Sequence, residues 1–148
     1  MAQGDSDVDG VPRMNRTQLK TLLYVDDDPD IREVVKLALG LIDSFVVHEC
    51  ASGEEALRLI PMVKPDLVLL DVMMPGMDGP SVLSRMKADE EHPHCPVIFV
   101  TAKALPREIA HFCELGAAGV IAKPFDPMEL GRQVLQMWES LSQIPQMA

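Results

Sequence analysis

The sequence predicts an α/β fold, a doubly wound five-stranded parallel sheet in a three-layer α/β/α sandwich, and three observations predict it. Short runs of strand length are bounded by turn signals. Between them lie segments whose apolar residues recur at helical spacing, and with right-handed crossovers that alternation gives a parallel sheet covered on both faces. Four of the runs also end in chemistry-bearing residues: Leu22–Val25 in Asp26-Asp27-Asp28, Leu67–Leu70 in Asp71, Val97–Val100 in Thr101, and Gly119–Ala122 in Lys123-Pro124. In an open parallel sheet, ligands bind beyond the carboxyl ends of the strands, where the strand order reverses. Carboxylates, a hydroxyl and an ammonium are therefore expected on one rim, a set suited to a divalent metal and a phosphoryl group.

The first strand is expected over residues 20–25. Asp28 reads as the N-cap and Pro29 as the first position of a helix with Ile31, Val34, Val35, Ala38, Leu41 and Ile42 on its apolar face. The second strand is Phe45 to Cys50. A second helix begins at Ser52, with Glu55 completing a capping box, and carries Ala56, Leu59, Ile60 and Val63. The third strand runs from Asp66 to Asp71, and a loop through Gly79 leads to a helix near Pro80–Ala88 with Val82, Leu83 and Met86 inward. Pro96 to Val100 form the fourth strand. The fourth helix starts near Pro106, buries Ile109, Phe112 and Cys113, and stops at Leu115-Gly116. Gly119 to Ala122 form the fifth strand. The last helix runs from about Asp126 to Leu141, with Leu130, Val134, Leu135, Trp138 and Leu141 on one face.

Residues 1–18 read as a disordered leader, 19–141 as one domain and 142–148 as a C-terminal tail. Asp5, Asp7, Asp9 and Gly10 share part of the spacing of a calcium loop, but the later glutamate and the flanking helices are missing. A net charge of −10 argues against direct contact with nucleic acid, whose phosphates attract a basic face. No apolar stretch approaches the roughly 20 residues that span a bilayer, and no targeting pattern opens the chain. Cys50 and Cys113 read as reduced core residues of a cytoplasmic protein. His92-Pro93-His94-Cys95 reads as a plain loop, since tetrahedral ligand spacing is absent. His48 and His111 have no sequence-near partner and receive no role. Methionine thioethers suit soft metals, so those around Asp71 read as packing. Asp28 is expected to cap a helix, and Asp78-Gly79 to make a turn.

The acidic cluster after the first strand is followed in order by Asp71 with Met73-Met74-Pro75-Gly76-Met77-Asp78-Gly79, then Thr101-Ala102, then Lys123-Pro124-Phe125. In these pieces residues 19–141 resemble the receiver domain of two-component response regulators, of single-domain type. The resemblance implies a flavodoxin-like sheet in the order 2-1-3-4-5. It implies that Asp71 is the phosphoacceptor of a phosphorelay, with a histidine kinase or histidine phosphotransfer protein as phosphohistidine donor. Asp26, Asp27, Asp71 and the backbone carbonyl of Met73 would hold Mg²⁺. Thr101 would donate a hydrogen bond to the phosphoryl group, and Lys123 would ion-pair with it. Such a domain is a switch and not an enzyme, assisting only its own phosphorylation and autodephosphorylation. Its output would be a protein surface, by resemblance the helix 4–strand 5–helix 5 face, read by an unknown downstream protein or linked domain.

The chemistry of the residues agrees with these roles. Mg²⁺ takes hard oxygen ligands and keeps several waters. Phosphoryl transfer depends on positioning and charge neutralisation more than on covalent help. A lysine is a compact point charge that follows phosphoryl oxygens, and the fixed φ of Pro124 would help hold its loop.

Val120 stands where the family usually has Tyr or Phe, so an aromatic rotamer switch coupled to Thr101 is not expected. Met73 and Lys103 occupy the positions that modulate phosphoryl lifetime in the family, and a slow to moderate dephosphorylation is expected. No effector domain is expected after Leu141, unless the chain is a receiver excised from a larger regulator or hybrid kinase. The competing alternative is a haloacid-dehalogenase-like phosphatase with Asp26 as nucleophile in Asp26-x-Asp28. Against it, Asp30 stands where that family has Thr or Ser, the acidic pair after the lysine is missing, and Asp71 goes unexplained. A flavin-binding module fails because the loop after the first strand is acidic where a phosphate cradle needs amides and hydroxyls.

Overall fold

A computed structural model describes residues 18–90 and 94–142. The expected leader apart from Gln18, the Asp5-Asp7-Asp9 motif, His92 and Pro93 of the histidine loop, and the tail beyond Ser142 lie outside the described residues.

The elements alternate as expected: β1 (Thr21–Val25), α1 (Pro29–Leu39), β2 (Val46–Cys50), α2 (Gly53–Val63), β3 (Leu67–Asp71), α3 (Gly79–Ala88), β4 (Val97–Thr101), α4 (Pro106–Glu114), β5 (Gly119–Ala122) and α5 (Pro127–Ser142). All strand pairs are parallel and the sheet order is β2-β1-β3-β4-β5. The chain runs outward from β1 to β2 and returns to β3 on the other side of β1. The order therefore reverses between β1 and β3.

Alternation along each strand divides the core into two layers. Leu22, Tyr24, Leu69, Val100 and Ile121 pack with Val35 and Leu39 of α1 and Leu130, Val134 and Trp138 of α5. Leu23, Val25, Leu70 and Phe99 pack with residues of α2, α3 and α4. Strands covered on both faces read as near-continuous apolar runs, and β3 and β4 are buried at every position. Among the described residues, no helix is long and apolar enough to cross a membrane.

Local chemistry starts the helices where expected. Asp28 caps α1, accepting from the N–H of Asp30 at 2.9 Å and of Ile31 at 3.4 Å. Ser52 Oγ caps α2 through the N–H of Glu55 at 3.1 Å. The return arm of that capping box is shifted: Glu55 Oε1 accepts from Ala51 N–H, one residue before the cap. Asp78 caps α3 through Ser81 N–H, and Gly79 opens that helix, so the pair starts a helix where a turn is expected.

Two expectations on burial need correction. Leu41 lies outside the helix, because α1 ends at Leu39 with Gly40 as its C-cap, and so helical spacing does not carry it inward. It is exposed, as is Val34, and Leu39 fills the core place instead. Cys113 is exposed and not a core residue, and Ile109 is only half-buried. Helix α4 docks chiefly through Phe112, whose ring meets Phe99 edge-on at 5.2 Å, and Cys113 is rotated off that line of contact. Cys50 is buried as expected, and burial pushes its thiol up to about 12.

Candidate functional site

The reversal between β1 and β3 brings Asp26 and Asp71 to neighbouring strand ends. Asp26 follows Tyr24 by two residues and Asp71 follows Leu69 by two, so the pleat keeps both on the α1/α5 side. Lys123 follows Ile121 by the same step on β5, two strands from β3, and its stem spans the end of β4. Its Nζ stands 3.2 Å from Asp26 Oδ2 and 3.2 Å from Asp71 Oδ1. Asp26, Asp71 and Thr101 are the buried polar residues of the described chain. Asp27 is exposed, yet Asp26, Asp27 and Asp71 each offer an oxygen within 4.8 Å of the others.

Burial, and then the charge of Asp26, hold the Asp71 carboxyl above the usual carboxylate range despite the opposing pull of Lys123. Burial disfavours the Lys123 ammonium, but Asp26 and Asp71 outweigh it and its pKa lies above the ordinary value. Beyond burial, both directions reflect two carboxylates sharing one lysine, with excess negative charge remaining. That excess matches a cation. Three carboxylates converging with one face open to solvent fit a hard, oxygen-liganded ion such as Mg²⁺, while thiols and imidazoles are absent from the cluster.

The remaining expected residues fall on the same rim. Thr101 Oγ1 accepts from Lys103 N–H at 3.0 Å, which leaves its own proton for another acceptor. Lys123 N–H donates to Thr101 O at 2.8 Å, tying the β4 and β5 ends together. The backbone N–H of Met73 donates to the Asp71 carboxylate, and the Met73 side chain is exposed. Asp28 is engaged at the α1 cap and stays out of the cluster. Gly79 closes the loop against β3, its N–H bonding Val72 O at 2.9 Å. Any Cβ there would meet Asp71 O at 2.8 Å.

Two participants were not anticipated from the sequence. Tyr24 donates its hydroxyl to Asp26 Oδ2 at 2.7 Å inside the core. Arg32, one turn into α1, donates from Nη1 to Asp26 O at 2.7 Å and from Nε to Glu49 Oε1 at 3.0 Å. The i, i+2 placement of Tyr24 and Asp26 on one strand face was the available signal for the first. The second joins α1 to β2 across 17 positions and leaves no local pattern.

Fold and site together define a flavodoxin-like α/β domain of the receiver class. Residues 22–135 match the family model described as the response regulator receiver domain, and the chain belongs to that family. It is a receiver domain of two-component response regulators. It is 40% identical over 111 residues to the phosphate regulon transcriptional regulatory protein PhoB of Pseudomonas aeruginosa, covering 75% of this chain and 48% of that protein. It is 36% identical over 118 residues to the DNA-binding response regulator MtrA of Mycolicibacterium smegmatis, covering 80% and 50%. The chain thus spans about half the length of these curated relatives. Among solved structures, the chemotaxis response regulator CheY4 of Vibrio cholerae superposes with a TM-score of 0.73 at 27% identity, over 81% of this chain and 99% of that one. The Francisella response regulator 1452 receiver domain gives a TM-score of 0.73 at 26% identity, over 82% and 98%. Nothing in these matches supports the phosphatase alternative, and the capping role of Asp28 removes the second carboxylate that it requires.

Proposed function

We propose that Asp71 is the phosphoacceptor of this receiver and that Asp26, Asp27, Asp71 and the Met73 carbonyl hold Mg²⁺. The observation that carries the proposal is the Lys123 ammonium at 3.2 Å from Asp71 Oδ1, beside two further carboxylates at the point where the strand order reverses. An Asp71 oxygen attacks the phosphorus of a phosphohistidine, the P–N bond breaks, and the imidazole leaves with the bonding pair. An acyl phosphate remains on Asp71. Lys123 shifts from the carboxylate to the phosphoryl oxygens without losing Asp26, and Thr101 donates its free hydroxyl proton to the phosphoryl group. When bound, the metal supplies charge neutralisation between carboxylates and phosphoryl oxygens.

The donor must seat on the rim. A cleft of about 340 Å³ borders Lys123, lined by Ile31, Val34, Pro124, Phe125 and Pro127, and mostly apolar residues there suit a helix that presents a histidine. Output is assigned to the α4–β5–α5 face, which includes exposed Leu105 and Leu115. With Val120 half-buried at the strand position beside Phe99, that face signals without an aromatic rotamer change. The whole is a cytoplasmic switch and not a turnover enzyme, fed by a histidine kinase or phosphotransfer protein.

Intact mass after Mg²⁺ and acetyl phosphate tests this. One phosphoryl adduct on the wild type, lost in Asp71→Asn and in EDTA, is expected. Absence of an adduct on folded wild type, or sustained turnover of phosphoesters, overturns it.

A further inference from the structure

Tyr24 is 1% exposed, with its ring in the layer between the sheet and helices α1 and α5. Only its hydroxyl leaves that apolar layer, and it donates to Asp26 Oδ2 at 2.7 Å. A buried tyrosine needs a partner for its hydroxyl, which accounts for the bond from the side of Tyr24. From the side of Asp26 the bond does more. Asp26 Oδ1 accepts from Asp28 N–H at 2.9 Å, and Oδ2 accepts from both Tyr24 and Lys123. Two of these three donors are fixed, one in the backbone and one on a central strand paired on both sides. The third sits on a flexible stem. Tyr24 and the Asp28 amide hold opposite oxygens of one carboxylate and so set its plane.

We propose that Tyr24 is a positioning residue of the cation site, locking the Asp26 carboxylate so that the site is stiff enough to prefer a small cation. The inference rests on the magnesium reading of Asp26, Asp27 and Asp71. Mg²⁺ demands near-ideal octahedral geometry, whereas Ca²⁺ accepts more ligands in flexible arrangements. Releasing one carboxylate therefore penalises Mg²⁺ more than Ca²⁺.

Calorimetric titration of wild type and Tyr24→Phe with Mg²⁺ and with Ca²⁺ tests this. The variant keeps the ring, and far-UV circular dichroism checks the fold. Hydrogen-bond partners of ligating groups typically contribute 10–100-fold in affinity, so the Mg²⁺ Kd is expected to rise about tenfold. The Ca²⁺ Kd changes less, and the preference for Mg²⁺ falls. A lower Tm with an unchanged Mg²⁺-to-Ca²⁺ ratio makes Tyr24 a core residue only and overturns the proposal. Equal weakening of both ions also overturns it. Wild type that takes up no Mg²⁺ removes the magnesium reading itself, and the proposal with it.

Discussion

Lys123 Nζ lies 3.2 Å from Asp71 Oδ1, although 52 positions of chain separate them. The same nitrogen is 3.2 Å from Asp26 Oδ2, so one ammonium stands in the ground between two carboxylates that a cation would also occupy. In the proposed reading, lysine and metal would therefore oppose each other in the resting site and act together on a phosphoryl group.

Lys123→Met separates these effects. Without the ammonium the carboxylates repel one another, and Mg²⁺ binding is expected to tighten several-fold in calorimetry. The metal-free variant is expected to lose about 1–3 kcal/mol, below the full cost of breaking a buried pair because Lys123 is partly exposed. The adduct with acetyl phosphate is expected to form more slowly by mass spectrometry, since the phosphoryl oxygens lose their partner. In the wild type, the raised Lys123 pKa means that its contribution to stability is complete below the ordinary value of 10.5. It is lost only as pH rises through the higher folded value.

Asp71→Asn moves stability the other way. A carboxyl raised in the folded state binds protons on folding, so its contribution is most favourable below the ordinary 3.8 and declines as pH rises through the folded pKa. At neutral pH and without metal the Asp71 charge is a burden, and its removal is expected to stabilise the fold. If the proposed site holds Mg²⁺, the ranking is expected to reverse, because a ligand that binds only the folded state stabilises by mass action. Thermal melts of both proteins in EDTA and in excess Mg²⁺ check the crossing.

Gly79→Ala tests the loop that follows Asp71. The added Cβ would meet Asp71 O at 2.8 Å and Val72 Cα at 2.9 Å, both backbone atoms of the β3 end that cannot rotate away. Overpacking of this kind costs about 1–3 kcal/mol. A lower denaturation midpoint together with weaker Mg²⁺ binding is expected, since the displaced backbone carries Asp71.

Thiol reactivity reads the corrected burial directly. Burial pushes Cys95 up to about 11 and Cys50 up to about 12, while Cys113 is exposed on α4. Thiolate is the reactive form. At mild alkaline pH, a maleimide followed by peptide mapping is expected to label Cys113 first, Cys95 slowly and Cys50 only on unfolding. A partner seated on the α4–β5–α5 face would slow the labelling of Cys113.

What the sequence makes legible follows from how far each signal reaches. Asp28 and Ser52 cap helices through contacts within three residues, so their roles show in local pattern, whereas Asp-Gly at 78–79 reads equally as a turn and hides the cap of α3. Lys123 and Asp71 meet through topology, which the alternation of strands and helices specifies. Leu41 and Cys113 mislead because helical spacing describes a face only while the helix lasts and only where another element covers it. Helix α1 stops at Leu39, and α4 offers little more than Phe112 to the sheet. Tyr24 reads as a core residue because its apolar ring dominates the pattern, and the hydroxyl that reaches Asp26 has no signature of its own.

On the proposed reading, the lifetime of an acyl phosphate on Asp71 would depend on how water reaches phosphorus from the side opposite Asp71. Met73 stands two residues past Asp71 with its apolar side chain 63% exposed at the mouth of the site. Lys103, two past Thr101, is exposed, and its backbone N–H fixes the Thr101 hydroxyl at 3.0 Å. Neither side chain presents a carboxylate or amide to orient an attacking water, and the Met73 thioether is expected to hinder its approach. The adduct is therefore expected to persist for minutes and not seconds in Mg²⁺ buffer. Met73→Ala opens the approach and is expected to shorten that lifetime, whereas Lys103→Met leaves Met73 in place and changes it less. Mass-spectrometric decay curves after removal of the phosphodonor measure all three, and decay of the wild type within seconds would remove Met73 as the barrier to water.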